Sequence, residues 1–72
     1  EYAGARAQFA AALAIDVATG DLLRQATRRN NIGNTHYFQG EYGAALREYQ
    51  RAHESVLRAP SGADREPLRL AI

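Results

Sequence analysis

Shifting the chain against itself by 40 residues lays Glu1-Tyr2 on Glu41-Tyr42, Ala5 on Ala45, Phe9 on Tyr49 and Ala12 on Ala52. The correspondence returns at the far end, where Arg29 falls on Arg69 and Ile32 on Ile72. Self-similarity at such a period is the mark of stacked supersecondary units, because one unit cannot bury both of its faces alone. Size is preserved at the matched positions. Ala at 5, 12, 45 and 52 lets a neighbouring element approach closely, and the aromatic ring at 9 and 49 fills the space between elements. With 72 residues the chain is one small domain, burying only about 60% of its unfolded surface.

The units are helical. Ala, Leu, Arg, Gln and Glu are strong helix formers, and the few β-branched residues never alternate as a strand requires. Apolar residues at spacings of three and four predict a first helix over 1–17, with Tyr2, Ala5, Phe9, Ala12 and Leu13 on one stripe. A second, more polar helix is predicted over 21–39, carrying Leu22, Ala26, Ile32, Gly33 and His36. A third, over 41–58, repeats the first pattern with Tyr42, Ala45, Tyr49, Ala52 and Val56. Thr19-Gly20-Asp21 reads as a helix stop followed by an N-cap, and Gln39-Gly40-Glu41 as a tight helix-to-helix turn. Pro60-Ser61-Gly62 ends the third helix, and Asp64 then caps a fourth, with Pro67 tolerated in its first turn. The second and third helices should form an antiparallel hairpin around Gly40, with Gly33 at a close helix crossing.

Asn31-Ile32-Gly33-Asn34, Tyr37, Gln39-Gly40-Glu41-Tyr42, Ala45, Tyr49 and Ala52 closely resemble one whole tetratricopeptide repeat (TPR). The longer period is similar to the TPRs of spindle-orientation scaffolds, kinesin light chains and bacterial signalling proteins. The resemblance implies an all-α fold of antiparallel helix hairpins stacked as a solenoid. Residues 1–17 would be the second helix of a preceding repeat, 21–58 one complete helix pair, and 62–72 the start of a following repeat. Three positions depart from the family pattern. Arg29 stands where a large apolar residue is common, His36 where Tyr is usual, and Leu57 where the repeat usually closes with Pro.

In that family the first helix of each pair lines a concave groove. The resemblance therefore implies a peptide-binding face made of Thr27, Asn30, Asn31, Asn34, Tyr37 and Phe38. An Asn amide both donates and accepts, which suits the backbone of an extended ligand. Asn is also a mediocre helix former, so three within five residues need a reason. The alternatives are solvated surface, or Asn34 tying neighbouring helices together. Arg24 and Arg28 could contact a ligand carboxylate through bidentate pairs, or Arg24, Arg28 and Arg29 could be surface charge paired with Asp21 or Glu48. A partly buried Arg29 would demand a carboxylate partner.

Other classes of function find little support. There is no Cys, so no disulfide or zinc-thiolate site forms within the chain. His36 and His53 have no metal-ligand spacing to each other, and no metal or cofactor is expected. Nine Arg against eight Asp and Glu leave the chain near neutral, which argues against nucleic acid as a partner. Residues 7–15, the longest uncharged stretch, are too few to span a bilayer. The expectation is a cytoplasmic, non-enzymatic module that binds a protein or peptide. The alternative is a regulatory segment controlling an attached kinase, cyclase or peptidase domain. The chain opens on Glu rather than Met and so reads as either processed or excised from a longer protein. Its incomplete end repeats would then be covered by more of that protein or by self-association of copies.

Overall fold

The computed structural model describes residues 1–60. They form three helices, α1 (Tyr2–Thr19), α2 (Leu22–Phe38) and α3 (Tyr42–Arg58), and no strand. The expected fourth helix from Asp64, including Leu68, Leu70 and Ile72, lies outside the described residues.

The punctuation falls where the Gly residues and the caps place it. Glu1 caps α1 by accepting hydrogen bonds from Ala3 N–H and Gly4 N–H. α1 continues to Thr19 rather than stopping near residue 17. Val17 and Thr19 do not break a helix, and the Thr19 hydroxyl turns back onto the Ile15 and Asp16 carbonyls. The stop is Gly20 itself, with φ at 74°, followed by a bond from Asp21 N–H to Asp16 O at 2.9 Å. Gly40 (φ 78°) repeats the device after α2, with Glu41 N–H reaching His36 O at 2.8 Å. Both are left-handed stops that hand orphan carbonyls a donor. Asp21 caps α2 through Arg24 N–H at 3.0 Å. α3 ends as Ala59 turns extended ahead of Pro60, the conformation a residue before Pro prefers.

α2 is the central helix, packed on α1 along one side and on α3 along the other, while α1 and α3 do not pack on each other among the described residues. Both pairs are antiparallel. His36 meets Glu41 beside the turn and Arg29 meets Glu48 further along, and on the other side Arg6 meets Thr35 while Asp16 meets Arg28.

The buried apolar residues are Ala26, Ile32, Ala45, Ala52 and Ala59. A core of alanines brings backbones together but buries little apolar area per residue, so its hydrophobic contribution is modest. Ala45 and Ala52, matched in the repeat to Ala5 and Ala12, are the closest-packed part of α3. Three expected stripe residues lie outside the packed layer. Tyr2, Tyr42 and Val56 are exposed, and the two tyrosines are the first residues of their helices.

Gly33 does sit at a close crossing. A Cβ built there would lie 2.7 Å from Tyr49 Cε1 and 2.9 Å from Cδ1, so the bare backbone is what admits the ring. The Tyr49 hydroxyl then donates to Asn34 Oδ1 at 2.6 Å. One residue of α3 thus engages two successive residues of α2.

Candidate functional site

Positions 23, 27, 30, 34 and 37 advance by four, three, four and three, so they share one face of α2. Leu23, Thr27, Asn30, Asn34 and Tyr37 are all exposed. The two flanks of the helix are buried against α1 and α3, leaving this strip as its open surface. Four of the six sequence-predicted groove residues, Thr27, Asn30, Asn34 and Tyr37, fall on it. Asn31 sits on the shoulder, half-buried, and Phe38 is exposed at the C-terminal end of the helix.

The members of the strip are not equivalent. Thr27 donates its hydroxyl to Leu23 O at 3.2 Å, which leaves the oxygen lone pairs turned outward as acceptors. Asn34 gives its carbonyl oxygen to Tyr49, so it ties α2 to α3 while its NH2 group retains donor capacity. The strip therefore offers amide and hydroxyl groups with no charge among them, between Leu23 at one end and aromatic rings at the other.

The basic cluster separates into three ion pairs. Arg24 Nε pairs with Asp21 at 3.3 Å on the surface. Arg29 pairs with Glu48 at 3.5 Å, half-buried, which is the carboxylate its burial demanded and the reason Arg can stand at this position. Arg28 donates its Nε to Asp16 Oδ2 at 3.0 Å. Asp16, 4% exposed, was not singled out from the sequence, yet it follows Ala5, Phe9 and Ala12 at spacings of three and four on the packing stripe of α1. A lone carboxylate on that stripe was the available signal. Its backbone carbonyl also accepts from the Gln25 side chain at 3.2 Å. With Arg28 committed to Asp16, Arg24 is the more accessible of the two arginines proposed to contact a ligand.

At the other end of α2, Arg6 donates to Thr35 Oγ1 at 3.3 Å and also reaches Gln39 Oε1. His36 Nδ1 lies 2.7 Å from Glu41 Oε1. A carboxylate only accepts, so the ring nitrogen facing it carries the proton. That hydrogen bond is the largest influence and holds the Glu41 carboxyl below the usual glutamate range; desolvation opposes it, and the charges of His36 and of Arg6 add lesser lowering. A depressed carboxyl favours the folded hairpin above the ordinary glutamate range, and that preference is lost as pH falls through the folded value. In an NMR titration, Glu41 is expected to titrate below an unstructured glutamate and to move back up in His36→Ala. An unchanged midpoint in that variant would contradict the assignment.

Among the described residues no helix is long and apolar enough to cross a membrane, and no group of three or more His, Cys, Asp and Glu could hold a metal ion. His53 lines only a shallow, open depression with Tyr49, Gln50 and Glu54 on α3. Comparison of the chain with protein-family models, with curated proteins and with solved structures finds no match.

Proposed function

We propose that the chain is a protein-interaction module, a segment of a TPR-like solenoid whose α2 face receives an extended peptide or segment of a partner, without catalysis of its own. The observation that carries this reading is the exposed strip of Thr27, Asn30, Asn34 and Tyr37 running along the one open face of a helix packed on both flanks. Uncharged donors and acceptors on a rigid helix suit the alternating N–H and C=O groups of an extended backbone. The 40-residue repeat and the central position of α2 support stacking of hairpins. So does the outward face of α1, where Ala3, Ala7, Ala10, Ala11, Ala14, Ile15 and Ala18 are exposed. A helix apolar on nearly every side is normally covered, by a preceding helix or by another copy.

Thr27 and Asn30 are the residues to test, because Asn34→Ala would also release Tyr49 and loosen the hairpin. The double variant Thr27→Ala/Asn30→Ala is expected to keep its helicity by circular dichroism. It should weaken partner binding by about 0.5–1.5 kcal/mol per lost hydrogen bond, read by titration calorimetry. Equal affinity of the double variant and the parent chain would remove the strip from the interface.

A further inference from the structure

The cationic side chains of α2 are all paired. Arg24 meets Asp21, Arg28 meets Asp16, Arg29 meets Glu48 and His36 meets Glu41. The helix carries no Asp or Glu of its own. Asp21 is held a second time, by Arg24 N–H at 3.0 Å, and the side chains of Asp16 and Glu48 are only 6% and 20% exposed. Arg6 reaches α2 from α1 and is turned onto Thr35 and Gln39. Among the described residues, the carboxylate and α-ammonium of Glu1 and the side chains of Arg47, Arg51, Glu54 and Arg58 form no hydrogen bond or ion pair with α2.

The strip itself has an ordered chemistry. Leu23 and Tyr37 stand at its two ends, 42% and 51% exposed. The Tyr37 ring has Phe38 edge-on at 5.6 Å and Tyr42 at 5.3 Å. Between the ends, Thr27 presents acceptor lone pairs and Asn30 both a donor and an acceptor. Asn34 presents the donors of its NH2 group, its oxygen being held by Tyr49. The helix rise sets Leu23 and Tyr37 about 21 Å apart along the axis, which an extended chain covers in about six residue steps. Thr27 and Asn34 are about 10 Å apart, the length of about three such steps.

We infer that the strip selects an extended partner segment of about seven residues, with an apolar side chain near each end and no charge over the central residues that lie between Thr27 and Asn34. The inference rests on the strip being the binding face and adds the class of segment that face takes. Charge complementarity decides against the alternatives. A charged side chain laid on Thr27, Asn30 and Asn34 loses water and gains only neutral groups, which do not offset the desolvation of a full charge. An acidic residue would have to displace Asp21 from Arg24, or Asp16 and Glu48 from arginines that are better buried. A basic residue would need one of those same carboxylates. An uncharged Ser, Thr, Asn or Gln meets donors and acceptors of its own kind, as does the backbone of the segment. Arg24 and Arg28 then stay with Asp21 and Asp16, and neither takes a ligand carboxylate.

The test uses the 72-residue chain and three peptides of the inferred length, acetylated and amidated so that their termini are neutral. Each has Leu at both ends, and its centre alternates Thr with Asn, with Asp or with Arg. Backbone and side-chain amide resonances of the chain are followed by NMR. The Asn peptide is expected to shift Thr27, Asn30 and Asn34 saturably, with an affinity that changes less than about twofold as salt is raised, since there is no ion pair to screen. At high salt the Asp and Arg peptides should each bind at least about fivefold more weakly. Thr27→Ala/Asn30→Ala should weaken the Asn peptide about fivefold or more, with circular dichroism checking that the variant is folded. An Asp or Arg peptide that binds the same three residues as tightly as the Asn peptide would overturn the inference while leaving the strip as a binding face. No saturable shift at these residues with any of the peptides would remove the strip and the inference together.

Discussion

Replacing Gly33 by Leu is expected to lower the melting temperature of the chain by roughly 10–20 °C. A Cβ at position 33 already meets the Tyr49 ring at 2.7 Å, and Leu adds three further carbons in the same direction. The ring cannot swing aside freely, because its hydroxyl is bonded to Asn34 at 2.6 Å. Overpacking of this kind costs about 1–3 kcal/mol, and the lost hydrogen bond places Gly33→Leu at the upper end. Gly33→Ala should be milder, since Ala stabilises a helix interior by about 1 kcal/mol over Gly and offsets part of the clash. Adding Tyr49→Ala to Gly33→Leu should recover stability relative to the sum of the single changes, because the two side chains compete for one space. A melting temperature of Gly33→Leu equal to that of the parent chain would show that α2 and α3 do not cross at this glycine.

Arg28→Ala is expected to destabilise the chain by about 3 kcal/mol. The loss is larger than for most surface arginines because of what remains behind. Asp16 has a side chain only 6% exposed and its carboxylate is 3.0 Å from the guanidinium, so removing Arg28 leaves a charge with little access to water. Asp16→Ala should cost less, about 2 kcal/mol, since the Arg28 side chain retains 28% exposure and can turn outward. Replacing both by Leu should approach the parent stability, because paired desolvation is removed along with the attraction. For comparison, the exposed pair of Arg24 and Asp21 should contribute no more than about 1 kcal/mol. Chemical denaturation of these three variants, with Arg24→Ala for the exposed pair, reads all of these values. An Arg28→Ala variant as stable as the parent would mean that the α1–α2 packing does not depend on this pair.

Much of the fold was legible because it rests on local chemistry. Gly20, Gly40 and Pro60 end helices for backbone reasons that need no tertiary information, and spacings of three and four revealed Ala45, Tyr49 and Ala52. The end of α1 was placed near residue 17, two residues early, because the stop was read as the whole Thr19-Gly20-Asp21 stretch, whereas the left-handed Gly20 alone decides it. Residue pairs distant in sequence were harder. The Arg29–Glu48 and Arg24–Asp21 pairs could be anticipated from their spacing once a hairpin was assumed. The Arg28–Asp16 pair belongs to a different helix interface; the lone carboxylate on the packing stripe of α1 marked Asp16, but nothing local marked Arg28 as its partner. Asn34 satisfied the alternative of tying two helices together, a role visible only once Tyr49 is seen beside it. The exposure of Tyr2 and Tyr42 escaped as well, since both were assigned to packed stripes by periodicity although each begins a helix.

The central claim is that the open face of α2 receives a partner segment. Site-specific photocrosslinking tests it most directly, with a photoreactive residue introduced at Asn30 in one variant and at Arg51, exposed on α3, in another. Each variant is expressed in cells. The α2 face as a binding surface predicts a discrete adduct from position 30, mapped by mass spectrometry to one continuous segment of a partner, with little or none from position 51. Adducts from position 51 alone, or the same scattered adducts from both positions, would contradict it.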